Sequence, residues 1–343
     1  MAKINKNVTK IKMIEIVPYG PKWEQAHIAF ATKYWTKSRR KIPEYIYWKF
    51  RGEPSTEISS FILAVENDTV IGQLGLIPVN IQVEDGVYET QWACDLMVDI
   101  AYRGKGVAKL LYDFAHSQKI ITVGCDPSPA ASASMQKNGY DIMSAAWKCF
   151  LPMNLNEITK LKKRNYKIFK NIPNPFLLFF KILDKIQPST FKTLRTDFFE
   201  KEYKPPSSNL YAFVVRNKSF IMWRYSHFSK FYDGFEIRIN QREIWYSGFF
   251  SKNYYYITDF RITNDINFIG IVNDIINRYK KMNLSMIRFY SNDNRLVTKL
   301  PFFGCLKFKT KSEIIYFTTD VALKSKLITK DFFYTYADSD DNI

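Results

Sequence analysis

The sequence predicts an α/β fold in which one order of strands and helices occurs twice in tandem. Three observations carry that expectation. The first half alternates apolar runs of strand length with segments of helical spacing. The second half repeats the same order of elements. The chain has 343 residues, against a usual domain size of about 100–200 residues, so each half is long enough to bury a core of its own.

In chain order, residues 14–17 read as a short apolar strand. Residues 23–37 place Trp23, Ala26, His27, Phe30 and Tyr34 at helical spacing just after Pro21, a favoured helix start. Residues 43–51 read as a second short helix with Tyr47 and Phe50 on one side. Strands follow at 61–66, at 69–76 after an Asn-Asp turn, and at 90–98. Residues 107–118 form the clearest helix, with Val107, Leu110, Leu111 and Phe114 on one face. Residues 120–125 read as a strand, 129–138 as a helix stopped by Gly139, and 140–151 as one long strand or a strand pair.

Residues 152–208 differ. Between Lys160 and Lys192 nine basic residues face a single acid, Asp184, and prolines break the stretch. Basic helices joining two domains are expected there, ending at Pro205-Pro206-Ser207-Ser208; a helix lying on a membrane surface has the same pattern and stays open. The second half then repeats the first. Ile46-Tyr47-Trp48-Lys49-Phe50 matches Ile221-Met222-Trp223-Arg224-Tyr225, and Asp95-Leu96-Met97-Val98 matches Asp259-Phe260-Arg261-Ile262. A helix and a strand follow each: 107–118 then 120–125, and 268–280 then 285–290. The expected domains are therefore 1–151, a linker 152–208, and 209–343.

Composition narrows the partners. The net charge of +17 favours a polyanionic ligand, or reflects an AT-biased genome, so it selects no function alone. Cys94, Cys125, Cys149 and Cys305 form no CxxC pair, which fits a reducing, cytoplasmic setting. His27, His116 and His227 have no zinc spacing, so no metal is expected. No apolar run approaches the roughly 20 residues of a membrane-spanning helix, so no transmembrane segment is expected.

The chemistry concentrates at Leu96-Met97-Val98-Asp99-Ile100-Ala101-Tyr102-Arg103-Gly104-Lys105-Gly106-Val107-Ala108. A strand ends, a Gly-rich loop follows, and a helix begins at Val107. Backbone N–H groups converge in such a loop, and the first turn of the helix adds unpaired donors and its positive dipole end, so the geometry suits phosphate. Gly104 and Gly106 let the backbone approach the anion closely. The patterns GxGxxG and GxxxxGK[ST] are both missing.

Arg103-x-x-Gly106-x-Ala108 after Leu96-Met97-Val98 resembles the acyl-CoA signature of the Gcn5-related N-acetyltransferase (GNAT) superfamily. Ser132-Ala133-Ser134-Met135-Gln136-Lys137-Asn138-Gly139-Tyr140 is similar to that family's last helix and its Gly-Tyr end. The resemblance covers about residues 14–151 and, more weakly, 210–316, where no Gly-rich loop occurs. It implies two tandem GNAT-like domains, each a mixed, mostly antiparallel sheet flanked by helices, with the second copy degenerate. It implies that acyl-CoA is the co-substrate. Arg103, Gly104, Lys105, Gly106, Val107 and Ala108 would contact its pyrophosphate, Met97 and Val98 would run beside its pantetheine arm, and Ser132 would lie near the leaving thiolate. A backbone N–H near Val98 would face the thioester oxygen.

Direct attack needs a neutral amine, hence a proton acceptor. Asp95 is the expected base; its other reading is a strand-end Asp pairing with a local basic group. Glu66 and Asp126 are weaker alternatives. Family members often place a Tyr four residues before the Gly of the last helix; this chain has Met135, so the usual acid is missing, and Ser132, Ser134 or water must serve, or the thiolate leaves unaided. Cys94 and Cys125 are read as strand core residues. In the second copy Thr263-Asn264-Asp265-Ile266-Asn267 replaces the glycines, and Asp265 would repel phosphate, so one CoA site is expected. Asp95, Trp92 and Trp223 are expected to wall the acceptor.

The resemblance implies an acyl-CoA-dependent N-acyltransferase acting on an amino sugar, nucleotide-linked, for surface polysaccharide, and the net charge of +17 agrees with such a polyanionic acceptor. Acylation of a polyamine or peptide amine is the alternative, as is a non-catalytic CoA- or nucleic-acid-binding protein. Nucleic-acid signatures are not evident, so no nucleic-acid partner is expected. A monomer or weak dimer is expected.

Overall fold

The computed structural model describes residues 14–161, 172–178, 182, 190–193, 211–226, 235–240, 244–262, 265–292 and 294–338. Most of the basic stretch 160–192, residues 205–208, and residues 263–264 of the replaced loop lie outside them. The chain divides into two compact units: Met1–Pro78 with Gln91–Thr122, and Val79–Thr90 with Val123–Ile343. They are called the N-terminal and C-terminal units below.

In the N-terminal unit the strands run in the order β1 (Glu15–Tyr19), β2 (Ile58–Glu66), β3 (Thr69–Val83) and β4 (Gly86–Val98), the end of β3 and the start of β4, Val79–Thr90, belonging to the C-terminal unit. β1 pairs with β2, and β2 with β3, both antiparallel. The β2–β3 turn is the Asn-Asp pair anticipated from sequence: Asn67 and Asp68 have φ of 50° and 57°, the left-handed pair that matches the twist of a two-residue hairpin. Helices α1 (Glu24–Tyr34), α2 (Pro43–Lys49) and α3 (Val107–Gln118) complete the unit. α3 starts and ends where its periodicity predicts, but its buried face is Val107, Leu111, Tyr112 and Ala115, while Leu110 is 40% exposed. The i, i+4 row through Val107 wins because Leu111 and Val107 pack over Gly72, where a β-carbon would lie 3.1 Å from Val107 Cγ1.

In the C-terminal unit β5 (Ile121–Cys125), which begins in the other unit, leads through α4 (Pro129–Lys137) to β6 (Asp141–Pro152). β6 lies between β12 (Met286–Ser291) and β13 (Leu306–Thr318), antiparallel to both. β12 is parallel to β11 (Tyr254–Arg261). Antiparallel pairs then run through β10 (Trp245–Ser251), β9 (Glu236–Asn240) and the short β7 (Phe191–Thr193). β8 (Tyr211–Val214) pairs with the outer end of β3 and, in parallel, with β14 (Asp331–Phe333). Helix α5 (Leu155–Leu161) follows β6 and α6 (Lys218–Ser226) follows β8; α7 (Asp265–Tyr279) packs Phe268, Ile271, Val272 and Ile275 onto the sheet core of Leu151, Ile257, Ile287 and Phe289. The architecture is α/β, with mixed, mostly antiparallel strands flanked by helices. No described helix is long and apolar enough to cross a membrane.

Candidate functional site

The site grows out of the C-terminal end of β4. Asp95 has φ of +52° inside this strand. A non-glycine residue in that region is strained and kinks a strand, so something must hold it. Two sets of contacts do. The buried Gln73 side chain donates Nε2–H to the Asp95 carbonyl at 3.1 Å, and its Oε1 lies 3.0 Å from His27 Nε2. The Asp95 carboxylate accepts from Arg40 Nε at 2.5 Å and from Lys49 Nζ at 2.5 Å. The Lys49 side chain is fully buried, and that of Asp95 is 7% exposed.

Burial opposes ionisation of Asp95, but the charges and hydrogen bonds of Lys49 and Arg40 outweigh it and hold the carboxyl below the usual carboxylate range. A carboxylate so stabilised is a weak proton acceptor. Of the two sequence readings of Asp95, the arrangement is that of a strand Asp paired with local basic groups. The same burial pushes His27 down to about 4, so this imidazole is neutral at neutral pH.

Beyond the kink, β4 ends at Val98, and Asp99 N–H donates back to Ile71 O at 2.8 Å. The Asp99 carboxylate caps a single tight turn by accepting from Ala101 N–H at 3.0 Å. Arg103 folds back to donate Nε–H to Val98 O at 3.2 Å. Lys105 Nζ sits 5.1 Å over the Tyr102 ring, and Tyr102 Oη donates to Glu66 at 2.6 Å. Among the described residues neither Arg103 nor Lys105 forms an ion pair.

Gly104 and Gly106 have φ of +75° and +85°, and a β-carbon added at either would meet nothing within 4 Å. The backbone therefore needs glycine while the space outside the loop is open. Gly106 is the residue that opens α3, and no side chain caps that end. The first N–H groups of α3, at Val107, Ala108 and Lys109, have no acceptor within the helix. They meet the open space together with the positive end of the helix dipole, an arrangement that suits an anion.

Met97, Val98, Arg103, Gly104, Lys105, Gly106, Val107 and Ala108 thus form one continuous loop-and-helix edge two residues past Asp95. Trp92 is a correction. It is 1% exposed in β4 and belongs to the core, in a stretch where Thr90, Gln91 and Ala93 are buried as well; it cannot wall an acceptor. Ser132 and Trp223 lie in the C-terminal unit. Ser132 Oγ accepts from Gln136 Nε2 at 3.1 Å on α4. Trp223, on α6, packs edge-on to Phe220 at 5.6 Å. Met135 is 5% exposed, so α4 buries a thioether where a hydroxyl was sought. Asp126 is occupied too, accepting from Ser312 Oγ at 3.0 Å and Tyr290 Oη at 3.3 Å. Cys94 and Cys125 are half-buried strand residues rather than core.

Sequence reasoning missed Arg40, Lys49, Gln73 and His27. Lys49 carried a signal, since it sits in the Trp-basic-aromatic string that recurs in the second half; the others carried none.

Residues 22–118 match the family model described as an acetyltransferase (GNAT) domain. No curated protein matches the chain by sequence. Among solved structures, the chain is similar to a GCN5-related N-acetyltransferase from Anabaena variabilis, at 12% identity and TM-score 0.58, over 90% of this chain and 74% of that one. It is similar to another from Kribbella flavida, at 8% identity and TM-score 0.56, over 88% and 71%. It is also similar to Saccharomyces cerevisiae N-myristoyltransferase with bound myristoyl-CoA, at 10% identity and TM-score 0.53, over 92% and 81%. The Gly-rich loop lies within the residues matched by that family model.

Proposed function

We propose that this protein is an acyl-CoA-dependent N-acyltransferase whose acceptor is an amino sugar, nucleotide-linked, serving surface polysaccharide. The observation that carries the reading is the open loop at Gly104 and Gly106, with its free helix N-terminus and two cations. Backbone N–H groups from Gly104 to Ala108 hold the pyrophosphate, and Arg103 and Lys105 add charge. Met97 and Val98 border the pantetheine arm. Asp95, with φ of +52°, marks an irregularity in β4 three residues before Val98, and a backbone N–H near Val98 would face the thioester oxygen. Such a donor stabilises the charge that grows there as the amine attacks, by about 3–4 kcal/mol.

The amine attacks the thioester carbon directly, and the CoA thiolate leaves. Because Lys49 and Arg40 hold Asp95 ionised and weakly basic, water or an amine arriving neutral accounts for the proton better than this carboxylate does. The net charge of +17 favours a phosphorylated acceptor over a polyamine.

The test is thiol release from acyl-CoA across a panel of free amino sugars, nucleotide-linked amino sugars, polyamines and peptides. Intersecting initial-rate lines and a preference for the nucleotide-linked amine are expected. Parallel lines would replace direct attack by a covalent intermediate, and a polyamine preference would replace the acceptor.

A further inference from the structure

The sheet of the C-terminal unit has two unlike faces. Leu151, Ile257, Ile287 and Phe289 enter the core under α7. By register the alternate residues share the other face: Arg288 stands opposite Phe150 on β6 and beside Tyr256 on β11, and Tyr290 stands opposite Lys148.

Arg288 differs from Arg216, Arg238 and Arg278 of this unit. Its Cζ lies 4.1 Å from the centre of the Tyr254 ring, 5.6 Å from Tyr256 and 5.9 Å from Phe150. Its one hydrogen bond is a long one, from Nη1 to Tyr256 Oη at 3.5 Å. Its Nε is buried with no partner, and among the described residues no carboxylate reaches it. Arg216, Arg238 and Arg278 of the same unit each hold at least one carboxylate. The neighbouring Lys148 has Asp126 at 3.5 Å.

A half-buried guanidinium that has lost water and gained only rings and one neutral hydroxyl is costly to keep. The rings hold its plane by cation–π attraction, which leaves the donor fork fixed in advance. A fixed fork with unused donors and unanswered charge fits an oxyanion, which it binds through paired, charge-assisted hydrogen bonds.

We propose that Arg288, cradled by Tyr254 and Tyr256, is the anion-binding centre of a ligand site on this face, and that it takes the phosphoryl oxygens of a nucleoside diphosphate. The oxyanion follows from the guanidinium; the choice of phosphate over carboxylate rests on the nucleotide-linked acceptor proposed above. This site is separate in sequence from the loop at Gly104–Ala108.

Calorimetry on the full chain at low salt tests it, with UDP, uridine, inorganic pyrophosphate, glucuronate and CoA as probes. UDP is expected to bind one site, and uridine at least about tenfold more weakly, the scale of losing a charge-assisted contact. Arg288→Met should weaken UDP about tenfold or more and leave CoA affinity unchanged. Arg288→Lys should fall between, since it keeps the charge and loses the fork; it carries the same test should the Met variant fold poorly by circular dichroism. Gly106→Val should lose CoA and keep UDP. Unchanged UDP affinity in both Arg288 variants would overturn the site, as would UDP lost with Gly106→Val, which would place it on the loop. Glucuronate or pyrophosphate binding as tightly as UDP would overturn the nucleoside diphosphate. Absence of CoA binding with Arg288-dependent UDP binding intact would instead remove the acyl-CoA reading and leave this site standing.

Discussion

Asp95 and Asp259 occupy matching places in the two recurring sequence strings, and the comparison separates what both regions share in folding from the Gly-rich loop that only one of them carries. Both are buried strand carboxylates held by a cation. Asp95 accepts from Lys49 at 2.5 Å, and Lys49 belongs to the recurring Trp-basic-aromatic string. Asp259 accepts from Arg216 Nε at 2.7 Å, and Tyr225 of the matching string donates to it at 3.4 Å. The strand irregularity is shared too: Asp95 itself is left-handed, while β11 slips register against β10 between the partners of Ser247 and Gly248. What is not shared is the sequence that follows, glycines and basic residues after one and Thr263-Asn264-Asp265 after the other. A buried Asp–cation pair kept in the copy without an anion loop belongs to the fold. The open loop is what the first copy adds.

The largest effect should come from the feature that is not shared. Gly106→Val puts a branched β-carbon at φ of +85° into open space, where the ligand phosphate would lie. CoA binding by calorimetry should vanish, through the added β-carbon and the strain of a branched residue at that φ, while circular dichroism reports whether the rest of the fold is kept. Normal CoA affinity in a folded variant would remove the loop from the site. Two equivalent CoA sites in the wild type would remove the contrast between the copies.

The shared feature should give a stability effect of the same kind in both halves. Asp95→Asn leaves the buried Lys49 without its anion, for about 3–5 kcal/mol; Asp259→Asn removes one of the two carboxylates on Arg216, which keeps Asp338 at 2.6 Å, and should cost less. Urea unfolding measures this. Lys49→Met combined with Asp95→Asn should recover much of the first loss, because no buried charge is then unanswered. A loss of kcat by about 10²–10⁴ in that folded double variant, with CoA affinity intact, would restore Asp95 as the general base.

The two regions should also differ in the sign of their pH dependence. Asp95 is held below the ordinary carboxylate range, so its contribution is present above about pH 4 and is lost as pH falls through its lower folded value. Asp338 shares Arg216 with Asp259, accepting from Nη2 at 2.6 Å. Burial foremost, opposed by Arg216 and aided by the Asp259 charge, pushes Asp338 up to about 6. Its contribution is full below about pH 4 and is lost as pH rises through about 6. Asp338→Asn should therefore flatten the loss of stability between pH 4 and 6.5, read as urea midpoints. An unchanged pH slope would place the titration elsewhere.

Much of this was legible before any coordinates. α3 carries its register in apolar spacing, the β2–β3 hairpin in Asn67-Asp68, and the anion loop in two glycines between a strand and a helix. These are local signals. The clamp on Asp95 was not legible, because Arg40, Lys49 and Gln73 are 55, 46 and 22 residues away from it in sequence and meet only through tertiary packing. The partners of β6 were hidden for the same reason: Phe150 pairs with Arg288 and Leu306, more than a hundred residues on. Trp92 was misjudged because an aromatic near a site reads alike whether it faces the core or the solvent.

The smallest effect concerns Trp223, set against Trp48 at the matching place of the recurring string. Trp48 is 8% exposed in α2, so Trp48→Ala should cost about 3–5 kcal/mol through the cavity it leaves. Trp223 is only partly buried, packed on Phe220 at 5.6 Å and beneath the Arg224 guanidinium at 5.6 Å. Trp223→Ala opens to solvent on one side and should cost about 1 kcal/mol or less. If Trp223 also walls the acceptor, as its type and place in the sequence led us to expect, the acceptor KM should rise a few-fold while kcat and CoA affinity hold, since a stacking contact is worth about 1 kcal/mol. A Tm shift with no change in acceptor KM would make Trp223 a packing residue, and the two copies of the string would then differ only in how deeply they bury the same ring.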